Sequence, residues 1–190
     1  MNDLVVLIGL HGKKGTEIKK KLEQQGFSSL SFDGIMKKLY RSRSFSDLTP
    51  EEIKNAYLQF GEQTGECLTS SPVILDEPFI QEDAFDWFRS KITNFDQDNV
   101  FFFQLGAKID TLLKRDPRFP YMKTSSPERE AASGPNEPFF KAYSERYHPV
   151  IIKVEPLPAK TAVEVLISQL ALESQYRATE KTKDYPIIEK

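Results

Sequence analysis

The chain is expected to fold as an α/β protein, with a parallel five-stranded sheet flanked by helices, and three observations carry that expectation. Four short apolar runs rich in β-branched and aromatic residues recur, LVVLIGL, PVILDEPF, NVFFFQLGA and PVIIKVEP, with a weaker fifth, FSSLSFD. The runs are nearly continuous rather than alternating, which suits strands covered on both faces. A turn and a helical pattern follow them, and strand–helix alternation marks a parallel sheet.

Taken in order, LVVLIGL reads as the first strand, and TEIKKKLEQQG as a helix with Ile18 and Leu22 four apart and Gly26 as its stop. FSSLSFD is the weak strand, and residues 41–48 are a polar connection. The next helix, LTPEEIKNAYLQFGEQTGECL, opens with Thr49 as N-cap, Pro50 at its first position, and Glu51 and Glu52 where they complement the helix dipole. Ile53, Tyr57, Phe60 and Leu68 give it an inward face. After PVILDEPF, the segment QEDAFDWFRSKI sets Phe85, Phe88 and Ile92 on one side. After NVFFFQLGA comes a stretch rich in Pro, Ser and charge, residues 116–148, with the length of a functional lid or a disordered loop. PVIIKVEP closes the sheet, and AKTAVEVLISQLAL stacks Ala162, Val163, Leu166, Ile167 and Leu170 as core. The expected organisation is one domain over 1–173, with a lid insertion at about 116–148, and a charged tail over 174–190.

Composition narrows the function classes. The hydrophobic fraction of 39% and charged fraction of 28% are ordinary for a globular chain, and the formal charge of -2 supplies no overall basic field for nucleic acid or anionic lipid. No run reaches the ~20 apolar residues that span a bilayer, and MNDLVVLIGLHGKK lacks the pattern of a secretion signal. With Cys67 as the single cysteine, a small buried hydrophobe by expectation, a reducing, cytoplasmic setting is expected. His11, His148 and Cys67 make no zinc site by spacing, and His148, before Pro149, reads as structural.

The first turn carries the chemistry. Phosphate binding between a strand and a helix needs glycines, so that backbone N–H groups can approach the anion, and a helix N-terminus aimed at it. The usual pattern, GxxxxGK[ST], adds a lysine for the β and γ phosphates and a hydroxyl for Mg2+. Here the string from Gly9 to Thr16 is GLHGKKGT. A gapless fit keeps Gly9, Gly12 and Thr16, but sets Lys14 on the last glycine and Gly15 on the lysine. Deleting one loop residue instead reads Lys14, Gly15 and Thr16 as lysine, glycine and hydroxyl. The gapless fit also suits the following helix and is preferred. The competing reading is a glycine turn that binds nothing.

With these pieces in order, residues 3 to 172 resemble the P-loop kinases of small molecules and polynucleotides, including adenylylsulfate, gluconate and polynucleotide 5'-kinases, with a degenerate Walker A. VVLIGLHGKKGTEIKKKL resembles the phosphate loop and first helix, and SFDGIMKKLY the second strand with its substrate-side aspartate. SSPVILDEPF is similar to the third strand and its aspartate, VFFFQLGAKIDTLLKRDPRF to the fourth strand and arginine-bearing lid helix, and YHPVIIKVEPLPAKTAVEVLISQL to the closing strand and helix. The resemblance implies a P-loop NTPase fold, a nucleoside/nucleotide-kinase-like three-layer sandwich, with ATP and Mg2+ as cofactors. It implies an acceptor that is a small molecule or a nucleic-acid end. Gly9, His11, Gly12, Lys13, Lys14, Gly15 and Thr16 would surround the phosphates, with Lys14 in the catalytic place.

Asp33 would orient or deprotonate the acceptor hydroxyl, with helix N-capping as its competing reading. Asp76 would join Thr16 at Mg2+. Glu77, beside it, reads as a solvated turn residue. Arg115 and Arg118 would face the transferring phosphoryl group, unless they form surface salt bridges. Arg41 and Arg43 read as a solvated loop, with an anionic acceptor as the alternative. Two departures weigh against ordinary turnover: Glu17 brings negative charge near the phosphates, and Gly106, Ala107 and Lys108 replace an expected aspartate and proline. The rival function is therefore a catalytically weakened module for nucleotide sensing or protein recognition. A toxin or resistance phosphotransferase on the same fold is a third.

Overall fold

A computed structural model describes residues 2–9, 12–41, 43–81, 83–106, 137–153 and 157–183. Its strands are β1 (Leu4–Ile8), β2 (Ser28–Ser31), β3 (Val73–Asp76), β4 (Val100–Leu105) and β5 (Val150–Ile152), one for each of the five expected runs. All pair in parallel, in the order β2-β3-β1-β4-β5. The helices are α1 (Gly12–Glu23), α2 (Phe32–Tyr40), α3 (Pro50–Leu68), α4 (Ala84–Arg89), α5 (Glu137–Tyr147) and α6 (Ala159–Lys183).

Strand order fixes which face each helix covers. Parallel crossovers are right-handed, so a helix that carries the chain one way across the sheet lies on the opposite face from helices that carry it the other way. From β1 the chain moves toward the β2 edge through α1, whereas α3, α4 and α5 lie on the steps that move it back toward β5. Accordingly, α1 and α6 cover one face, where Ile18, Leu22, Ala162, Val163 and Leu166 pack with Val5, Leu7, Phe101 and Phe103. The helices α2 to α5 cover the other, where Phe32, Tyr57, Phe60, Phe88 and Tyr143 pack with Leu4, Val6, Ile8 and Phe102. Alternate residues of β1 therefore feed two cores, which is why its sequence is apolar throughout.

The second core is aromatic: Phe32 stacks on Tyr57 at 4.1 Å, and Phe88 lies 4.9 Å from Phe79 and 5.3 Å from Phe60. Such pairs contribute about 0.5–1.5 kcal/mol each beyond burial. Between α3 and α4 the approach is close enough to require Gly61, because a Cβ there would stand 2.0 Å from the Phe88 carbonyl oxygen.

The α3 start forms as its sequence specifies. The Thr49 side chain accepts from the Glu52 amide, and the Glu52 carboxylate accepts from the Thr49 amide at 2.8 Å. The α1 helix ends near Gly26, whose φ of 92° supplies the left-handed turn expected of its stop.

Other boundaries differ from expectation. The first helix begins four residues before Thr16, at Gly12, because Lys13 and Lys14 are good helix formers. QEDAFDWFRSKI contributes only the short α4. Within the range read as a lid, α5 forms and buries Tyr143, whose hydroxyl donates to the Pro78 carbonyl. The last helix runs without a break to Lys183. No helix among the described residues is long and apolar enough to cross a membrane.

Candidate functional site

The carboxyl end of a central parallel strand is where an open α/β sheet forms its ligand crevice, at the point where neighbouring connections leave in opposite directions. Strand β1 is that place, since its chain departs toward β2 while that of β4 departs toward β5. Gly9 follows β1 with φ 97°, a conformation that only glycine adopts without strain. Three residues, 9–11, then separate the strand from the α1 helix, whose first turn reads Gly12-Lys13-Lys14-Gly15.

The first four amides of a helix have no carbonyl partner within it, and the helix dipole adds about half a positive charge there. Acidic side chains usually occupy such a turn, but α1 has none in its first turn. The sequence places Lys13 and Lys14 in that turn instead. Lys14 is half-buried, Gly15 is buried and Thr16 is exposed in the second turn. His11 lies outside the described residues.

On one side of β1, Asp76 ends β3, half-buried and on the sheet face that α1 covers. In register with it, Ser31 ends β2. Asp33 was expected at the end of that strand or as a helix N-cap; it occupies neither place. The strand stops at Ser31, whose side chain takes the cap by accepting from the Gly34 amide at 3.1 Å. Asp33 is exposed in the first turn of α2. With β3 between them, the ends of β2 and β1 stand about 10 Å apart across the sheet. Arg115 and Arg118 lie outside the described residues, as do residues 116–136 of the expected lid over 116–148.

Glu77 corrects the sequence reading most. Instead of a solvated turn residue it is fully buried, its Oε1 accepting from the Tyr57 hydroxyl at 3.1 Å and from the Phe79 amide at 3.0 Å. Those bonds hold Phe79 at φ 49°, a strained conformation for an aromatic residue, and so fix the turn that leaves β3 beside Asp76. Tyr143 closes the same turn from α5, and burial pushes its phenol well above the usual range. Gln104, buried near the carboxyl end of β4, was also missed. The one available signal for Glu77 was an acidic pair, Asp76 and Glu77, set within an apolar stretch, VILDEPFI.

Arg43 is also settled by geometry. Its guanidinium meets both oxygens of Glu52, at 2.6 and 3.1 Å, and serves the α3 cap.

A parallel sheet with helices on both faces and a glycine turn leading from a central strand into a helix is the architecture of P-loop kinase-like α/β proteins. Solved structures agree on the fold. A gluconokinase from Sinorhizobium meliloti 1021 matches with a TM-score of 0.50 at 14% identity, over 94% of this chain and 97% of that one. The protein APE1195 matches with a TM-score of 0.50 at 16% identity, over 90% of this chain and 95% of that one. A sugar kinase from Janibacter sp. HTCC2649 reaches a TM-score of 0.49 at 15% identity, over 90% of this chain and 95% of that one. No family model matches the chain, and no curated protein matches it. At such identity the likeness establishes the fold alone.

Proposed function

We propose that the protein is an ATP-dependent phosphotransferase acting on a hydroxyl of a small molecule or a polynucleotide end. The observation that carries this reading is the left-handed Gly9 turn at the end of β1, leading directly to a helix start with two lysines and no acid. The amides of residues 12–15 would donate to phosphate oxygens, and Lys14, with Lys13, would offset their charge.

Asp33 would hold the acceptor hydroxyl and take its proton as oxygen attacks the γ-phosphorus; the bond from that phosphorus to the β–γ bridging oxygen breaks, leaving ADP and a phosphate ester. The half-buried Asp76 on the α1 face fits a Mg2+ site, and Thr16 would be its companion. When bound, the ion would supply charge neutralisation at the phosphates. Arg115 and Arg118 would serve the phosphoryl group from the lid, read at about 116–148. The domain reading, 1–173 with a charged tail after it, and a cytoplasmic setting accompany this proposal.

The second reading, a nucleotide-sensing or protein-recognition module without turnover, is favoured by one specific observation. With α1 starting at Gly12, the turn is shorter than the GxxxxGK loop, and Lys14 and Gly15 lie inside the helix.

Thermal unfolding with ATP, ADP and Mg2+ tests nucleotide binding, since ligand at 100 times Kd stabilises by ~2.7 kcal/mol. No shift with any nucleotide at millimolar concentration would remove the kinase reading. Binding without phosphoryl transfer to any acceptor would favour the module. For the kinase, Asp33→Asn is expected to keep nucleotide binding and lose transfer.

A further inference from the structure

A second site lies at the opposite end of the sheet. Strand β5 pairs with Phe103–Leu105 of the longer β4, so among the described residues the first half of β4 has no strand on that side. The gap opens into a cleft of about 600 Å3, within the usual range for small-ligand pockets. It begins at Val100, about 15 Å along the strand from the glycine turn, and is distinct from it.

Among the described residues, three guanidinium groups line the cleft, those of Arg89, Arg146 and Arg177, against one carboxylate, Asp86. Asp86 meets Arg89 and Arg146 at 2.9 Å each, one arginine per oxygen. These side chains remain open to solvent, with 44% of Arg89 and 38% of Arg146 exposed. Arg177 donates to the Val100 carbonyl at 2.9 Å, taking the place of the missing strand, and its guanidinium lies over the Phe101 ring. Asp3 lies near enough to feel its charge. Even so, the described lining holds more cations than anions.

Aromatic rings complete the cleft: Tyr147 stacks on Phe102 at 4.6 Å, with Phe85 edge-on to both. His148 stands at the rim with φ 42°, held in a conformation that a non-glycine residue rarely adopts. Clustered arginines recognise oxyanions through paired N–H donors, and ring faces recognise planar apolar bodies.

We infer that this cleft binds a small organic oxyanion, a phosphate or sulfate ester carrying an aromatic ring. Its oxyanion sits on Arg89 and Arg146 and its ring against Tyr147, the partly exposed ring of the set, which the buried Phe85 and Phe102 hold in place. The inference is independent of the glycine turn and of the phosphotransferase reading.

Calorimetric titration of the full chain with phenyl phosphate, phenyl sulfate and inorganic phosphate tests it. Phenyl phosphate or phenyl sulfate is expected to bind at least about tenfold tighter than inorganic phosphate, because only the esters reach the rings. Arg89→Gln and Arg146→Gln each leave Asp86 one arginine, and each is expected to weaken ester binding about tenfold or more, while Arg146→Lys retains part of it. Lys14→Ala should leave it unchanged. The proposal is overturned if neither ester binds at about 10 mM, if neither outbinds inorganic phosphate, if Lys14→Ala abolishes binding, or if both glutamine variants bind as the parent does. Should one glutamine variant fail to fold, the other decides.

Discussion

The first turns of α1 and α3 solve the same problem in opposite ways. In α3 the chain's own groups serve the first turn: Thr49 caps the Glu52 amide, Pro50 removes one donor, and Glu52 returns to the Thr49 amide while binding Arg43. In α1 the first turn holds two lysines and no acid, a charge pattern that the helix dipole disfavours. The difference separates a helix start completed by its own side chains from one whose lysines the proposed phosphate site would use. A helix start completed by its own carboxylate has no need of a ligand, whereas one that gathers positive charge gains stability when a ligand arrives.

The two helices also differ along their bodies, and the largest expected effect lies there. Gly61→Ala would push a Cβ into the Phe88 carbonyl, and α3 can relieve the clash only by moving off α4. A loss of about 3 kcal/mol is expected in chemical denaturation. An unchanged midpoint would show that the two helices are not in register at Gly61.

Thr49→Ala removes the α3 cap and should cost about 1 kcal/mol, with any nucleotide-induced shift of Tm preserved. At α1 the contrast reverses sign: Lys13→Glu places an acid in the first turn and should stabilise the ligand-free protein by about 0.5 kcal/mol, while abolishing the nucleotide shift. If Lys13→Glu left nucleotide binding intact, the distinction between the two helix starts would fail.

The smallest effect is a pH dependence. Hydrogen bonds from Arg43, then from the Thr49 amide, push the Glu52 carboxyl down from 4.5 to about 2. A depressed carboxyl contributes stability that is fully present above its unfolded value and is lost as pH falls through the folded one. Acid titration of Tm between those two values should therefore show a decline that Glu52→Gln flattens. The group is open to solvent, so added salt should shrink the effect.

Much of the fold was legible because its signals are local. The five apolar runs, the Thr49 cap and the Gly26 stop each rest on residues within a few positions of one another, and each appears where expected. The site was legible only as a set of positions. Gly9 carries the left-handed turn its place demands, but α1 starts early enough to draw Gly12 and the lysines into the helix. Ser31, two residues before Asp33, took the cap because an extended residue ahead of the first helical one is what a cap requires.

By itself the sequence determined a parallel sheet covered on both faces, because near-continuous apolar strands cannot leave either face in water. It also determined the charge of the α1 start. Only the tertiary structure decided that Glu77 is buried, since its partners Tyr57 and Phe79 meet it through packing of α3 against the turn after β3. It likewise created the arginine-lined cleft, whose walls come from α4, β4, α5 and α6. Residues 80 positions apart in the chain, such as Gln97 and Arg177, approach there. No local pattern encodes such a meeting, because it follows from the length of β5 against that of β4 and from where the last helix crosses the exposed edge.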